Sequence, residues 1–316
     1  MTVTFKNVGQ GDCIIIEWVA DQSRQVGVVD CCHSVPNAAI SHIQQGDYSS
    51  LEFVVLSHPH RDHHSGVEEL LLFCEQHNIN IRYFFHTCDV VPDRLRAAVV
   101  TKQDRKRLGR LFQTMDRLNQ TGIIGKIIIV SDMIKPFPLS STICLEFLGP
   151  ANEESVKYIP TAFAFDVDLS TGNNPAANWL STILMLRKDD QYILLTGDAK
   201  REAMKRVYYD RLKDSRRTMV GGQAPHHGSG TNHFPLLWKK CKGEHPRAVI
   251  SVGRNSYGHP SPNTISSLRT IGYDVKCTGR IVGWREPTKR QKALAGISKP
   301  SRAYFSGGGS DVRLTL

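Results

Sequence analysis

The sequence predicts an α/β protein in which layers of strands and helices pack together. The first observation is composition: of 316 residues, 40% are hydrophobic and 22% charged, as in ordinary globular proteins. The second is that short apolar segments of strand character alternate with segments of helical periodicity. The third is that we find no tandem repeat and no low-complexity tract. The length suits one large domain or two small ones.

The first half of the chain opens with strands and then alternates strands with helices. Polar turns at 9–12 and 21–24 separate the first three strands. The segment 51–56 (LEFVVL) is a continuous apolar run, typical of a buried strand. The predicted strands are 2–8, 13–18, 25–30, 51–56 and 82–85. The predicted helices are 36–45, 65–77 and the basic, amphipathic 104–118.

The second half repeats this pattern. Asp189 and Asp190 make a turn between two strands. The predicted strands are 123–130, 141–147, 181–186, 192–196, 248–252 and 274–277. The predicted helices are 201–213 and 261–271. Residues 164–178 have neither periodicity, and loops of that length are often lids or binding loops.

Charge and cysteine content restrict the classes of function. Forty Lys and Arg against 30 Asp and Glu give a net charge of +10, which favours a polyanionic partner such as nucleic acid. No run of about 18 apolar residues exists, which excludes a membrane span. The N-terminus lacks the pattern of a secretory signal, so we expect a cytoplasmic protein. Without C-x-x-C pairs, we expect reduced thiols packed as small hydrophobic groups at these positions: Cys13, Cys31, Cys32, Cys74, Cys88, Cys144, Cys241 and Cys277.

A histidine-rich loop follows the predicted strand 51–56. It reads SHPHRDHHSG from Ser57, and His58, His60, Asp62 and His63 form an H-x-H-x-D-H spacing. Imidazole nitrogens together with a carboxylate suit zinc, manganese or iron. The alternative is a solvated loop that binds no ion. Such a density of histidines between a buried strand and a helix is unusual, so the loop predicts a metal site.

Two further loops offer additional ligands. Asp198 ends an apolar strand after Gly197, where its carboxylate could bridge two ions or simply cap a helix beginning at Ala199. His226 and His227 lie on a glycine-rich loop; a histidine pair in isolation is more often solvated or satisfied than ligating. Together the three loops supply enough nitrogen and oxygen ligands for two adjacent metals, with no thiolate needed.

The combination of these motifs resembles the metallo-β-lactamase superfamily and, within it, the hydrolase (nuclease) domain of the ComEC-type competence protein. The matching elements are VGQGD at 8–12, Val29-Asp30, the motif at 58–66, Asn178 and Ser181, LLTGD at 194–198, PHHGS at 225–229 and NSYGHP at 255–260. Their order and spacing hold from about residue 3 to residue 283. We therefore predict a metallo-β-lactamase-like hydrolase domain over 1–283 and a basic C-terminal extension over 284–316, packed on the same domain.

The resemblance implies a four-layer αββα metallo-β-lactamase sandwich with two divalent metal ions at one edge. In this arrangement His58 and His60 would hold one ion, and Asp62 and His63 the second. Asp198 would bridge the ions, and one or both of the ligand candidates in the glycine-rich loop would complete the set, namely His226 and His227.

Two departures from the family pattern affect this expectation. The superfamily usually has a further histidine some twenty residues before the bridging aspartate, where this chain has Asn173, Asn174 and Asn178. One metal would then be more oxygen-rich, which makes Mn²⁺ as plausible as Zn²⁺. His86 is a weaker substitute, because it follows a strand in a different loop. The second departure is that the membrane channel of the competence protein is missing.

The inferred centre has a definite chemistry. Two neighbouring divalent ions lower the pKa of a bridging water, and the resulting metal-bound hydroxide would attack the substrate. Asp62 can accept a hydrogen bond from that hydroxide. His259 is a candidate to hold a phosphate oxygen or protonate the leaving group, although a turn histidine that binds nothing is the alternative. The candidate substrate-binding residues are Ser229, Lys200, Asn178 and Tyr257.

Clusters of basic residues direct the substrate prediction towards phosphodiesters, and towards DNA in particular. One cluster comprises Arg201, Lys205, Arg206, Arg211, Lys213, Arg216 and Arg217. The other comprises Arg280, Arg285, Lys289, Arg290, Lys292, Lys299 and Arg302. Aromatic residues that could stack on unpaired bases are Tyr208, Tyr209, Trp284 and Tyr304. Each cluster could equally be a solvated face.

The sequence thus predicts a dinuclear metal-dependent hydrolase, a nuclease that cleaves DNA. Two alternatives stay open. One is a metallo-hydrolase of a small phosphoester or ester, which would ignore polynucleotides. The other is a nucleic-acid-binding module with a degenerate site, which intact His58, His60, Asp62, His63 and Asp198 disfavour.

Overall fold

A computed structural model describes the chain over residues 1–87, 102–163, 175–255, 258–279 and 309–316. Within these residues, two mixed sheets of seven strands each pack against one another through a shared apolar layer. Helices cover the opposite face of each sheet. The α/β class and the four-layer αββα sandwich predicted from the sequence are therefore confirmed.

The first sheet combines antiparallel and parallel strands. Its strands are β1 (Thr2–Phe5), β2 (Cys13–Ala20), β3 (Ser23–Cys31), β4 (Ser50–Leu56), β5 (Asn80–His86), β6 (Ile124–Ile129) and, near the C-terminus, β14 (Val312–Thr315). Their order is β14-β1-β2-β3-β4-β5-β6. The first four are antiparallel neighbours and β3 to β6 are parallel, so the carboxyl ends of β3, β4, β5 and β6 share one edge.

The second sheet has the same mixed character. Its strands are β7 (Phe137–Pro138), β8 (Ile143–Gly149), β9 (Ile183–Lys188), β10 (Gln191–Leu195), β11 (Thr218–Gln223), β12 (Lys242–Ile250) and β13 (Asp274–Cys277). Their order is β13-β12-β11-β10-β9-β8-β7. The strands β10 to β13 are parallel. Asp198 and the histidine pair follow the carboxyl ends of neighbouring strands, which brings them to one edge of this sheet.

Helices flank the two sheets. Those beside the first sheet are α1 (Ala38–Gly46), α2 (Arg61–His64), α3 (Val67–Gln76) and α4 (Lys102–Gln120). The remaining helices are α5 (Asn152–Phe163), α6 (Arg201–Val207), α7 (Pro235–Cys241) and α8 (Pro262–Ile271). Shorter turns occur at Pro175–Leu180, Tyr208–Leu212 and Pro225–Gly228. In the described part of the chain, no helix is both long and apolar enough to cross a bilayer.

Periodic apolar residues explain how the layers pack. In α4, Leu108, Leu111, Phe112, Met115 and Leu118 recur at three- and four-residue spacing and are all buried against the first sheet. Burial of each such side chain contributes about 1.5–3 kcal/mol. A central layer between the sheets contains large aromatic groups from both of them, with the rings of Phe85 and Phe147 4.9 Å apart. The two sheets are therefore held face to face by one continuous core.

The predicted strands and helices are present within a few residues, but the sequence analysis missed β7, α5, β11, α7 and β14. The omission of β11 matters most, because this strand leads into the histidine pair. Its Gly222 has little β-propensity, yet a Cβ there would lie 3.0 Å from the buried Trp238 ring. The glycine serves close packing, which periodicity cannot reveal. The predicted helix 65–77 corresponds to α3, and the short helix α2 that precedes it was also not predicted.

The two ends of the chain meet in the first sheet. Val312–Thr315 pairs antiparallel with β1, so the last residues belong to the same sheet as the first. Residues 280–308 lie outside the described residues, and the domain boundary at 283/284 stays a prediction. The seven described cysteines form no disulfide and are buried or partly buried. Cys88 lies outside the described residues.

Candidate metal centre

The three loops singled out in the sequence meet around the carboxylate of Asp198, which is 1% exposed. Its Oδ2 lies 3.5 Å from His58 Nε2, 4.0 Å from His60 Nδ1 and 3.4 Å from His226 Nε2. Candidate ligand atoms of His58, His60 and Asp198 all lie within 4.8 Å of one another. One oxygen of the carboxylate is therefore surrounded by three imidazoles.

The second oxygen of Asp198 faces a different group of side chains. Its Oδ1 lies 3.4 Å from His63 Nε2 and 3.8 Å from His227 Nε2. The Nε2 atom of His227 is also 3.1 Å from Asp62 Oδ2. These four residues form another cluster whose candidate ligand atoms are within 4.8 Å of each other. Asp198 is common to both clusters, as a bridging ligand between two ions requires.

Backbone conformation directs the adjacent histidines to opposite oxygens. His226 and His227 both adopt left-handed φ values, 50° and 52°. This region costs a non-glycine residue about 1–2 kcal/mol, and such strain is common at functional sites. The turn places His226 beside Oδ2 and His227 beside Oδ1 of Asp198. The next residue, Gly228, has φ 79°, and a Cβ there would lie 2.7 Å from Pro260.

Asp30 fixes the histidine-rich loop through contacts with Ser57 and His63. Its Oδ2 lies 2.6 Å from His63 Nδ1 and accepts the Ser57 hydroxyl at 2.6 Å. Its Oδ1 accepts the Ser57 backbone N–H at 2.7 Å. A carboxylate on Nδ1 fixes the ring so that Nε2 is available to a metal. In the sequence, Asp30 is notable only as part of the Val29-Asp30 motif, which does not predict this supporting role.

Gln223 makes a second support that sequence analysis missed. Its Oε1 accepts the backbone N–H groups of Thr196 and Gly197 at 3.0 and 3.1 Å, immediately before Asp198. Its Nε2 donates to Asp12 Oδ2 at 2.7 Å. No sequence signal pointed to Gln223, because β11 itself was not predicted. Asp12 was part of the VGQGD motif but carried no assigned role.

One backbone carbonyl and one asparagine complete the support. The Nδ1 atom of His227 lies 2.8 Å from the Ser251 carbonyl oxygen, so this nitrogen donates and Nε2 is directed towards Asp62 and Asp198. Asn232 donates its Nδ2–H to the carbonyl oxygens of Asp198 and Ala199 at 3.2 and 2.9 Å. Neither Asn232 nor Ser251 was singled out from the sequence.

The site is strongly polarised. Burial alone would raise the pKa of Asp198, but His226, His63 and His227 hold it well below its usual range. Burial would lower the pKa of His227, whereas Asp198 and Asp62 raise it to about 9. The same two influences compete at His63, where Asp30 and Asp198 raise the pKa well above 6.5. The carboxylates are therefore anionic and hold positive charge beside them.

His58 differs from these two histidines. Burial lowers its pKa to about 3, with a further contribution from His63. A neutral imidazole has a lone pair for a metal at every pH near neutrality. His58 is thus already in its ligating form.

Unsatisfied ligand atoms test whether the residues fit divalent ions. The buried atoms His58 Nε2, His63 Nε2 and Asp198 Oδ1 make no hydrogen bond. Buried polar atoms are nearly always partnered, so such a concentration at one point calls for an explanation. A set of imidazoles and carboxylates suits zinc or manganese. The residues fit a pair of divalent ions.

The predicted substrate-binding residues lie around this centre to different degrees. Asn178 is buried with an unpartnered Oδ1 and lies beside Ser181, close to the loop that begins at Ser57. The Ser229 hydroxyl contacts Thr231 at 3.0 Å. Lys200 is the N-cap residue of α6, two residues after Asp198, and burial lowers its pKa.

His259 lies near the centre, with its ring centroid 5.0 Å from that of His226. Burial, with His226 and His227, lowers its pKa to about 4. His86 is buried against Phe112, and within the described residues it belongs to neither cluster around Asp198. Tyr257, Asn173 and Asn174 lie outside the described residues.

The first predicted basic cluster is divided by the fold. Arg206 donates to both carboxylate oxygens of Glu154, at 2.8 and 3.2 Å, and to Asp132 at 3.3 Å. These carboxylates compensate its charge. Tyr208 is 6% exposed and lies in the core, so the expectation that it stacks on bases is wrong.

The distal part of that cluster is remote from the metal centre. Thr218, the first residue of β11, pairs with Gln191, the first residue of β10. Arg216 and Arg217 precede this pair and therefore lie at the amino ends of the strands, opposite the edge that carries Asp198. The second predicted cluster, with Trp284 and Tyr304, lies outside the described residues.

Comparisons with known proteins identify likenesses in structure but none in sequence. No family model and no curated protein matches the chain. A metallo-β-lactamase fold protein, YhfI from Bacillus subtilis, is similar with TM-score 0.48 and 11% identity over 88% of this chain and 96% of that chain. A diphosphatase of the PhnP family gives 0.43 and 10%, over 99% and 98%. A long-form RNase Z from yeast gives 0.43 and 12%, over 80% and 37%.

These likenesses, at 10–12% identity and with TM-scores below 0.5, say nothing about the substrate of this chain. The candidate metal centre is defined by the positions of this chain's own side chains. The sandwich is the fold expected from the resemblance to the metallo-β-lactamase superfamily, and the predicted ligand candidates lie together at one edge of it.

Proposed function

We propose that this chain is a dinuclear metal-dependent hydrolase of phosphodiesters, with DNA as its substrate. The observation that carries the proposal is the buried Asp198 carboxylate, with unsatisfied imidazole nitrogens facing both of its oxygens. In this proposal His58, His60 and His226 would hold one ion together with Asp198. Asp62, His63 and His227 would hold the other, also together with Asp198.

Bound divalent ions, Zn²⁺ or Mn²⁺, would supply Lewis acidity and a water of lowered pKa at this point. The protein's part is to fix the ligands and to exclude competing water. Asp30, through His63, and Gln223, through the backbone before Asp198, keep the two ligand loops in register. Such supporting residues are typically worth about 10–100-fold in metal affinity.

The side chains at the open side of the centre are suited to substrate contacts. The Asp62 side chain is 24% exposed, more than Asp198 or His63, and can accept a hydrogen bond from the attacking water. His259, with its pKa near 4, is neutral at pH 7 and can donate one N–H to a phosphate oxygen. We therefore assign His259 to phosphate binding rather than to proton donation.

The choice of a polyanionic substrate rests on the net charge of +10. The ComEC-type resemblance, carried by His227-Gly228-Ser229 and by the motif at 257–260, supports DNA within the wider superfamily. A small phosphodiester or ester is the main competitor. It differs experimentally, because an enzyme for small esters would turn over chromogenic substrates and leave polynucleotides intact.

A cleavage assay tests the proposal. Single- and double-stranded DNA and a chromogenic phosphodiester are incubated with protein loaded with Zn²⁺, Mn²⁺ or Mg²⁺. We expect cleavage of DNA that a chelator abolishes, and loss of at least 100-fold in rate for His60→Ala and Asp198→Ala. Absence of DNA cleavage with all three metals overturns the proposed substrate, and cleavage by Asp198→Ala at the wild-type rate overturns the proposed site.

A further inference from the structure

A group of basic side chains lies beside the metal centre on α2 and the first half of α4. We call it the α4 surface; it comprises Arg61, Lys102, Lys106, Arg107 and Arg110. Arg61 stands within the histidine-rich motif, between His60 and Asp62. The sequence predicts a basic helix at 104–118 but gives no connection between this helix and the site.

Contacts at both ends of α4 establish its direction. Arg61 Nε lies 3.8 Å from Asp104 Oδ1, so the first turn of α4 is next to the metal motif. The Phe112 ring lies 5.3 Å from that of His86, the last residue of β5. Near its other end, Asn119 donates to the carbonyl oxygen of Ile124, the first residue of β6. The helix therefore runs from the metal edge to the opposite edge.

Within the part of the chain that the structure describes, two carboxylates contact the α4 surface. Asp104 contacts Arg61 and Arg107 at 3.8 and 3.6 Å, and Glu68 contacts Arg110 at 3.3 Å. These carboxyl side chains are only 15% and 24% exposed. Among the described residues, these five cations and two carboxylates leave three positive charges in excess. Arg61, Lys102, Lys106 and Arg110 are exposed to solvent.

The basic residues at the opposite edge of the second sheet have a different environment. Arg211, Arg216 and Arg217 line a pocket of about 470 Å³ that also contains Asp190, Asp210 and Asp214. Arg217 also contacts Glu146 at 3.4 Å. Cations and carboxylates occur in similar numbers in this pocket, so the pocket itself has little excess charge.

We propose that the α4 surface binds the phosphate backbone of the nucleic acid whose cleavage we proposed above. The inference deepens that proposed function and rests on it for the identity of the substrate. From Lys102 to Arg110 the helix rises about 12 Å, which corresponds to three or four nucleotide steps at about 3.4 Å per step. A small phosphodiester would not reach so far, so this surface selects a polymer.

Salt-dependent binding tests the inference with a matched control. Affinity of the metal-loaded protein for a short fluorescent DNA duplex with cleavage-resistant phosphorothioate linkages is measured by anisotropy between about 50 and 200 mM salt. The test variant is Lys102→Ala/Lys106→Ala. The control is Lys239→Ala/Lys240→Ala, which removes two exposed lysines of α7 just before β12, at the opposite edge.

We expect the test variant to bind at least tenfold more weakly near 100 mM salt. The slope of log K against log salt should become shallower by about 2, because each lost phosphate contact removes about 0.9. The control should keep the wild-type affinity and slope. Both variants should keep the wild-type thermal midpoint, because the replaced side chains are exposed.

If the test variant binds DNA with wild-type affinity, or if the control variant loses as much affinity, the proposed role of the α4 surface is overturned. If the wild-type protein cleaves DNA and the test variant binds DNA normally, only this inference fails. If the wild-type protein binds the duplex through this surface but releases no product with any metal, the inference stands and the proposed function fails.

Discussion

Gln223 Nε2 donates to Asp12 Oδ2 at 2.7 Å, and this hydrogen bond joins the two sheets directly behind the metal centre. Gln223 ends β11 of the second sheet, whereas Asp12 precedes β2 of the first. The same Asp12 oxygen lies 3.6 Å from His63 Nδ1. Gln223 Oε1 meanwhile holds the backbone of Thr196 and Gly197. One buried amide thus fixes the position of Asp198 relative to His63.

Replacement of Gln223 should weaken both the fold and metal binding. Gln223→Leu leaves two buried backbone N–H groups unsatisfied, each worth about 1–3 kcal/mol. We expect a loss of about 2–5 kcal/mol in the free energy of unfolding, measured in urea. We also expect metal affinity to fall about 10–100-fold, measured by titration.

Tyr273→Phe provides the control for this variant. It removes a buried hydrogen bond from the Tyr273 hydroxyl to the Trp238 carbonyl oxygen, 3.0 Å long and outside the metal centre. It should cost about 1 kcal/mol and leave metal affinity unchanged. Metal affinity in Gln223→Leu equal to that of wild type would show that the amide does not position the ligands.

Two glycine substitutions should change stability in opposite directions. Gly222→Ala places a methyl group 3.0 Å from the rigid, buried Trp238 ring, so it should destabilise by about 1–3 kcal/mol. Gly109→Ala adds a methyl group to a solvent-facing position of α4 with no atom within 4 Å. It should stabilise by about 0.5–1 kcal/mol through helix propensity. Equal effects of the two substitutions in urea unfolding would contradict the packing role of Gly222.

His233 should make stability depend on pH outside the metal centre. It is buried, its Nε2 lies 2.9 Å from Ser267 Oγ, and burial together with Arg201 lowers its pKa to about 4. The unfolded chain therefore takes up a proton near pH 6.5, before the folded chain does. This stability contribution is complete above about pH 6.5 and is lost as the pH falls towards 4.

The variant His233→Gln isolates this contribution. Unfolding free energies of wild type and variant are measured in urea at pH values from about 7 down to about 4. The advantage of wild type should shrink with falling pH, by at most about 3 kcal/mol. Other histidines titrate alike in both proteins and cancel from the difference. A difference that stays constant with pH would contradict the buried, neutral state of His233.

The sequence indicates the candidate ligand loops because their chemistry is local, and the structure brings these loops together. His58, His60, Asp62 and His63 fall within six consecutive residues, and their spacing alone indicates a metal site. Apolar runs likewise predicted most strands, since burial on both faces requires them. Asp198 became a candidate ligand because it stands at the end of one such apolar run.

The residues that support the ligands could not be predicted in the same way. Gln223, Asn232 and Ser251 act through hydrogen bonds to residues 20 or more positions away, and no periodicity marks them. The distribution of charge was equally inaccessible, because only the direction of α4 and of β11 decides which basic residues face the metal edge. Net charge predicts a polyanionic partner, and strand topology predicts where that partner would lie.

Metal content is the most direct test of the account. After reconstitution with Zn²⁺ or Mn²⁺ and removal of free metal, ions per chain are counted by native mass spectrometry with elemental analysis. We predict about two ions for wild type, about one for His58→Ala/His60→Ala, and strongly reduced occupancy for Asp198→Ala, whose carboxylate serves both clusters. A folded wild-type protein that retains no metal, or an Asp198→Ala variant that still binds two ions tightly, would contradict the account.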